Sequence, residues 1–189
     1  MAEYRTIVDR EMGGMNCAIL GLNAGIAVES APLHLQDDCL VDNIMRVNAL
    51  QVVYLLKIFE ERMLKRAERS AIMITSSIAS KIEFPGSQTY SATKLLVSNF
   101  GEAIHYEVSD RIDVLSWTPA GVRTKIFVDS NNCTKEEEEA KLNNKLFLDT
   151  DVAVKTMLVD LGKSAVSFGH FKHQLTYCMV WCFQSIACN

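Results

Sequence analysis

The chain has 189 residues, 49% of them hydrophobic and 22% charged, with a formal net charge of −4. That length and balance suit one globular domain with a real core and argue against disorder. The acidic balance, with no basic cluster alternating with aromatics, argues against nucleic acid or an anionic membrane as the main partner.

Residues 4–14 are predicted to be a helix ended by Gly13-Gly14 as a C-cap. Residues 17–22 (CAILGL) are predicted to form a buried strand, with Asn23-Ala24-Gly25 as the turn at its carboxyl end. A loop containing Pro32 follows, and then a long helical pattern over residues 38–68, with Ile44, Val47, Leu50, Tyr54, Leu55, Ile58, Met63 and Leu64 apolar. Asn48 lies beside that stripe, where a buried amide must find partners. Residues 71–75 predict a second strand and residues 90–108 a helix with Leu95, Leu96, Phe100, Ile104 and Val108 on its apolar side. Residues 112–117 predict a third strand, stopped by Pro119-Ala120-Gly121. Alternating apolar strands and helices are the pattern of a parallel sheet covered by helices.

After Phe127 the texture changes. Residues 131–141 (NNCTKEEEEAK) predict a solvated helix start capped by Thr134. A capped amphipathic helix is expected over residues 149–161, ending at Gly162, and a short fourth strand over residues 165–168. The tail, residues 170–189, reads as an apolar helix that packs on the domain or on a dimer partner, or lies on a membrane surface. The expected organisation is one partial domain over 1–130 and a helical extension of it over 131–189.

Six cysteines (Cys17, Cys39, Cys133, Cys178, Cys182 and Cys188) occur without a CxxC, and the polar start of the chain does not resemble a signal peptide. Reduced thiols in a cytosolic-type compartment are the simpler reading. No uninterrupted apolar run reaches the roughly 18 residues of a membrane span. His170, His173, Cys178 and Cys182 form an HxxH followed by a CxxxC. Two such pairs on one helix close a tetrahedral site poorly, so a histidine-capped helix with core thiols is preferred and no metal is assigned.

The stretch with chemical content is residues 72–94. Ser76 and Ser77 stand where the second strand gives out, and Tyr90 and Lys94 are four apart, on one face of the next helix. An ammonium near a phenol favours the phenolate, which makes tyrosine a usable proton donor and acceptor. A YxxxK alone is a weak signal and is better read as a surface tyrosine beside a surface lysine. Ser77, the 23–25 turn and segment 119–124 all follow strand ends, and open parallel sheets place ligands at that rim.

With these residues in place the chain resembles a short-chain dehydrogenase/reductase over residues 16–127. Asn23-Ala24-Gly25 is similar to the family's NNAG turn, and Val47-Asn48 to its helix asparagine. Ser77, followed thirteen residues later by Tyr90-Ser91-Ala92-Thr93-Lys94, is similar to its serine and YxxxK. PAGVRT at 119–124 resembles its PGxVxT segment. The resemblance implies oxidation or reduction of a carbonyl/alcohol pair with NADP or NAD. It casts Tyr90 as general acid/base, Lys94 as modulator of Tyr90 and holder of the nicotinamide ribose, Ser77 as donor to the substrate carbonyl, and Asn48 as holder of a relay water. It also assigns Asn23, Ala24, Gly25, Tyr90, Lys94, Pro119, Val122 and Thr124 to the cofactor. It implies a small-molecule substrate and a homodimer through the helices that carry Asn48 and Tyr90. YSATK followed by PxxVxTK leans toward the branch acting on hydroxysteroids and 3-oxoacyl chains.

The sequence departs from the pattern at Leu22, which stands for the first asparagine of NNAG, and at Ala120, which stands for a glycine. The family's TGxxxGxG turn has no counterpart, since the glycines ahead of the NAG turn are Gly13, Gly14 and Gly21. The expected fold is therefore an α/β, Rossmann-like parallel sheet lacking the N-terminal strands, with a helical C-terminal tail. Such a chain is expected to be either a piece of a longer product or a shortened, non-catalytic relative without dinucleotide binding that acts through dimerisation or protein interaction.

Overall fold

The computed structural model describes residues 1–27, 30–124, 136 and 143–187. Four strands form one parallel sheet in the order β1 (Ile19–Leu22), β2 (Ser70–Thr75), β3 (Ile112–Trp117), β4 (Val166–Ser167). Ile19 pairs with Ala71 and Ser70 with Ile112, so all carboxyl ends open toward one rim. The α/β parallel architecture and the helical C-terminal end are as expected.

The helices are α1 (Ala2–Met12), α2 (Asp38–Met45), α3 (Gln51–Met63), α4 (Gln88–Val108), α5 (Thr150–Asp160) and α6 (Phe171–Ala187). Alternation along β2 and β3 sends Ile72, Ile74, Ile112 and Val114 toward α3 and α4, where they join Leu56, Phe59, Val97 and Ile104 in the larger core. Leu115 and Trp117 face the other way and pack with Val122, Leu148, Ala153 and Met157. Burying each of these large side chains is worth about 1.5–3 kcal/mol relative to exposure.

Several expectations need correction. The 17–22 strand is an edge rather than a buried strand: among the described residues it pairs with β2 alone, and Ile19 is 63% exposed. Gly13 is right-handed (φ −58°) and so does not cap α1 through a left-handed turn. Its lack of a side chain serves close approach instead, since a Cβ there would lie 2.3 Å from the Asp9 carbonyl oxygen.

The predicted helix over 38–68 is interrupted by a π-helical turn, Arg46–Leu50. The run Asp38–Met63 does reach a mean hydropathy of 1.3 over a membrane-length window. On this run Ile44, Val52, Leu56, Ile58, Phe59 and Met63 are buried in the domain, while Leu40, Met45 and Leu50 are exposed.

In α4 the buried stripe is Thr93, Lys94, Val97, Ser98, Gly101, Ile104 and Val108, while Leu95, Leu96 and Phe100 point outward. The helix presents small residues to the sheet and sits close to it. A Cβ on Gly101 would come within 2.8 Å of Ile74 Cδ1.

Segment 131–141, with Thr134 and Cys133, lies outside the described residues apart from Glu136, as does the 130/131 boundary. Asp149 precedes α5 but makes no cap bond through its side chain, because its carboxylate takes the Arg123 guanidinium at 2.7 Å. Helix α6 buries His173, whereas the thiols expected in the core, Cys178 and Cys182, are exposed.

Candidate active site

The strand ends define a cavity of about 300 Å³, lined by the 23–25 turn, residues 75–77, Tyr90, Lys94, Trp117, Pro119, Ala120, Val122 and Thr124. Nine of the ten residues singled out from the sequence therefore border one space, and the tenth, Asn48, sits behind it.

The two serines at the end of β2 divide the work. Ser76 is buried and its hydroxyl donates to the Lys94 carbonyl at 2.8 Å, tying β2 to α4. Ser77 leaves the strand in extended conformation, so its side chain turns to the cavity. Its Oγ accepts the Ala79 N–H at 3.2 Å and lies close enough to the Tyr90 phenol to lower its proton affinity.

Tyr90 and Lys94 project from the first turns of α4. Lys94 is 4% exposed, and its Nζ donates to the Thr75 carbonyl at 2.9 Å. Burial lowers its pKa from 10.5 to about 8, so the side chain is still mostly cationic at neutral pH. The expected depression of Tyr90 by this lysine is not what the geometry gives. Burial raises the phenol above its ordinary value, and the Ser77 hydroxyl is what pulls it back. The ammonium lies 5.7 Å from the ring centroid, over the face of the ring rather than against the hydroxyl.

Asn48 is carried inward by the π-helical turn, a local widening that recurs at functional sites. Both polar atoms of its amide are engaged: Oδ1 accepts the Ile26 N–H and Nδ2 donates to the Ile26 carbonyl, both at 2.8 Å. The 23–26 segment is thereby fixed against α2 and α3. A Cβ on Gly25 would lie 3.3 Å from both Asn48 Oδ1 and Lys94 Nζ, so only glycine lets these three meet without displacement. Asn23 accepts the Thr75 hydroxyl at 2.9 Å, which joins the turn to β2.

The far lip is segment 119–124. The Ile78 N–H donates to the Pro119 carbonyl, Val122 pairs with Leu148, and the Thr124 hydroxyl donates to the Val122 carbonyl at 3.4 Å. Trp117, at the end of β3, and Thr75, whose carbonyl anchors Lys94, were not singled out beforehand. The position of Trp117 at a strand end was the signal that could have found it. The HxxH–CxxxC set does not converge: both His173 ring nitrogens face backbone carbonyls. Among the described residues no cluster of three histidine, cysteine or acidic side chains is placed to hold a metal.

Residues 4–135 match the family model of the short chain dehydrogenases. The chain belongs to that family. No curated protein matches it significantly in sequence.

Many solved structures share the fold. A gluconate 5-dehydrogenase from Burkholderia cenocepacia, solved with NADP and tartrate, is 25% identical with a TM-score of 0.59, covering 69% of this chain and 52% of its own. A short-chain dehydrogenase from Sphingobium yanoikuyae with NADPH is 22% identical (TM-score 0.70; 84% and 59% covered). One from Escherichia coli with NADPH is 18% identical (0.69; 88% and 68%). This short-chain dehydrogenase chain thus spans about half the length of the first of these relatives and about two thirds of the last.

Proposed function

We propose that this chain carries the acid/base half of an NAD(P)-dependent oxidoreductase acting on a carbonyl/alcohol pair. The observation that carries the reading is the meeting of Ser77, Tyr90 and Lys94 at one strand-end cavity, with Asn48 and Gly25 packed behind them. The residues present fit the nicotinamide-ribose end of the nucleotide: a buried ammonium suits the ribose hydroxyls, and segment 119–124 offers main-chain groups and the Thr124 hydroxyl to a carboxamide. When bound, the nicotinamide supplies or accepts the hydride.

The rest of the work falls to the chain. Tyr90 gives a proton to the substrate oxygen, or takes one from it, through its phenol. Ser77 holds that oxygen in line and stabilises the charge that develops on it. Lys94 stands ready to bind the ribose and, once held closer to the phenol oxygen, to favour the phenolate. Asn48 fixes the 23–26 turn and so the floor of the cavity.

The proposed substrate is lipid-like, a steroid or a 3-oxoacyl chain, on the strength of the YSATK and PxxVxTK patterns. The proposed assembly is a homodimer in which the outward Leu95, Leu96 and Phe100 of α4 meet their counterparts beside Leu40, Met45 and Leu50. The proposed compartment is the cytosol, with the apolar outer face of α6 (Phe171, Leu175, Trp181, Phe183) able to rest on a membrane surface.

A second reading is a non-catalytic relative that acts by pairing with another chain. Its support is that, among the described residues, β1 pairs on one side only and Ile19 is exposed, an edge to which another chain could add a strand. Titrating purified protein with NADPH and with NADH, read by nicotinamide fluorescence and thermal stability, separates the two. Saturable binding of either supports the enzyme; no shift at millimolar nucleotide leaves only the pairing role.

A further inference from the structure

Helix α6 places one polar group where the proposed chemistry does not use it. His173 is fully buried and does not line the cavity. Its Nδ1 lies 3.0 Å from the Phe168 carbonyl oxygen and its Nε2 3.3 Å from the Gly121 carbonyl oxygen. Gly121 is the middle of the lip. Its carbonyl also accepts the Leu148 N–H at 3.0 Å, and a Cβ on it would sit 2.2 Å from the Phe147 ring. The lip is therefore gripped from two sides: by residues 147–148 and by a histidine 52 positions further along the chain.

An apolar side chain would fill the same place without the cost of burying a polar ring. What the imidazole adds is direction. A neutral ring carries one N–H and satisfies one of the two carbonyls at a time.

We propose that His173 is a positioning residue for segment 119–124: its Nε2–H donates to the Gly121 carbonyl, so α6 sets nucleotide affinity without touching the nucleotide. The effect on affinity rests on the reading of the cavity as a nicotinamide site; the effect on the segment does not.

The test compares His173→Gln, His173→Asn and His173→Leu in the full chain. Glutamine puts an N–H near the Nε2 position, asparagine near Nδ1, and leucine at neither. Two measurements are made: hydrogen exchange of the 120–124 amides without nucleotide, with strand 70–75 as the reference, and NADPH or NADH dissociation constants by fluorescence titration.

Loss of one such bond is expected to speed exchange at 120–124 and weaken binding by about 3- to 10-fold in the asparagine and leucine proteins, while glutamine stays near wild type. Rescue by asparagine and not glutamine would overturn the assignment, as would wild-type exchange in all three. So would exchange rising equally in strand 70–75, which would make His173 a general core residue. If the wild type binds neither nucleotide, the functional reading fails on its own and the exchange data still decide His173.

Discussion

The two walls of the cavity are built differently. On the β2–α4 wall the chemistry is local: Ser76 bonds the Lys94 carbonyl, Lys94 bonds the Thr75 carbonyl, and Tyr90 leans on Ser77, all within twenty residues of chain. On the opposite wall, segment 119–124 has no regular structure of its own and is held by residues 147–148, by His173 and by the Ile78 N–H on the Pro119 carbonyl. The first wall sets proton affinities through burial; the second sets only position. Changes to the first should alter chemistry and its pH dependence, and changes to the second should alter binding.

The largest effect should come from Tyr90→Phe. Removing the phenol oxygen takes away the proton donor and leaves the rest of the wall in place. Turnover of any carbonyl substrate accepted by the wild type should fall by about 10²- to 10⁴-fold. Nucleotide affinity should fall by no more than about 10-fold, since the ring remains and the loss is confined to one hydrogen bond. Retained turnover in a steady-state NAD(P)H assay would break the contrast between the walls.

The next effect is on stability. The folded pKa of Lys94 is near 8 against an ordinary 10.5, so between those values the unfolded chain binds more protons than the folded one. Stability should therefore rise with pH through that window. Tyr90, whose folded pKa is raised, works in the opposite direction only above about 10. Urea unfolding of wild type against Lys94→Met, from pH 8 to 10, should show a rise of about 2 kcal/mol in the wild type that the methionine protein lacks. Parallel profiles would mean that the lysine is solvated.

The same division explains what was legible in the sequence. Spacing places Tyr90 and Lys94 on one helix face, and the strand-end position of Ser77 together with the family resemblance brings it to the same rim. The parallel sheet and its four described strands were likewise readable from short apolar runs between turns. The outward face of α4 was not. Its apolar residues divide between two faces, and the small residues Thr93, Ser98 and Gly101 win the sheet-facing side because they permit close approach. Nor were the π-helical turn around Asn48 or the burial of His173, both of which depend on partners far along the chain: Ile26 is 22 residues from Asn48, and Gly121 is 52 from His173.

The smallest effect, and the sharpest for the comparison, sets Gly121→Ala beside Gly101→Ala. At Gly121 a new Cβ would meet three atoms of the Phe147 ring at 2.2–2.8 Å, a stiff obstacle backed by the Val122–Leu148 pairing. At Gly101 it would meet the flexible end of Ile74 at 2.8 Å, and the helix gains from replacing glycine. Overpacking costs about 1–3 kcal/mol, and alanine returns about 1 kcal/mol within a helix. Gly101→Ala should therefore change the urea midpoint little, and Gly121→Ala should lower stability by about 1–2 kcal/mol by moving the lip. Because the lip carries position and not proton affinity, the pH profile of Gly121→Ala should match the wild type while its nucleotide dissociation constant rises. A shifted profile with unchanged binding would show that the two walls are coupled, and that the lip reaches Tyr90 through the cavity it closes.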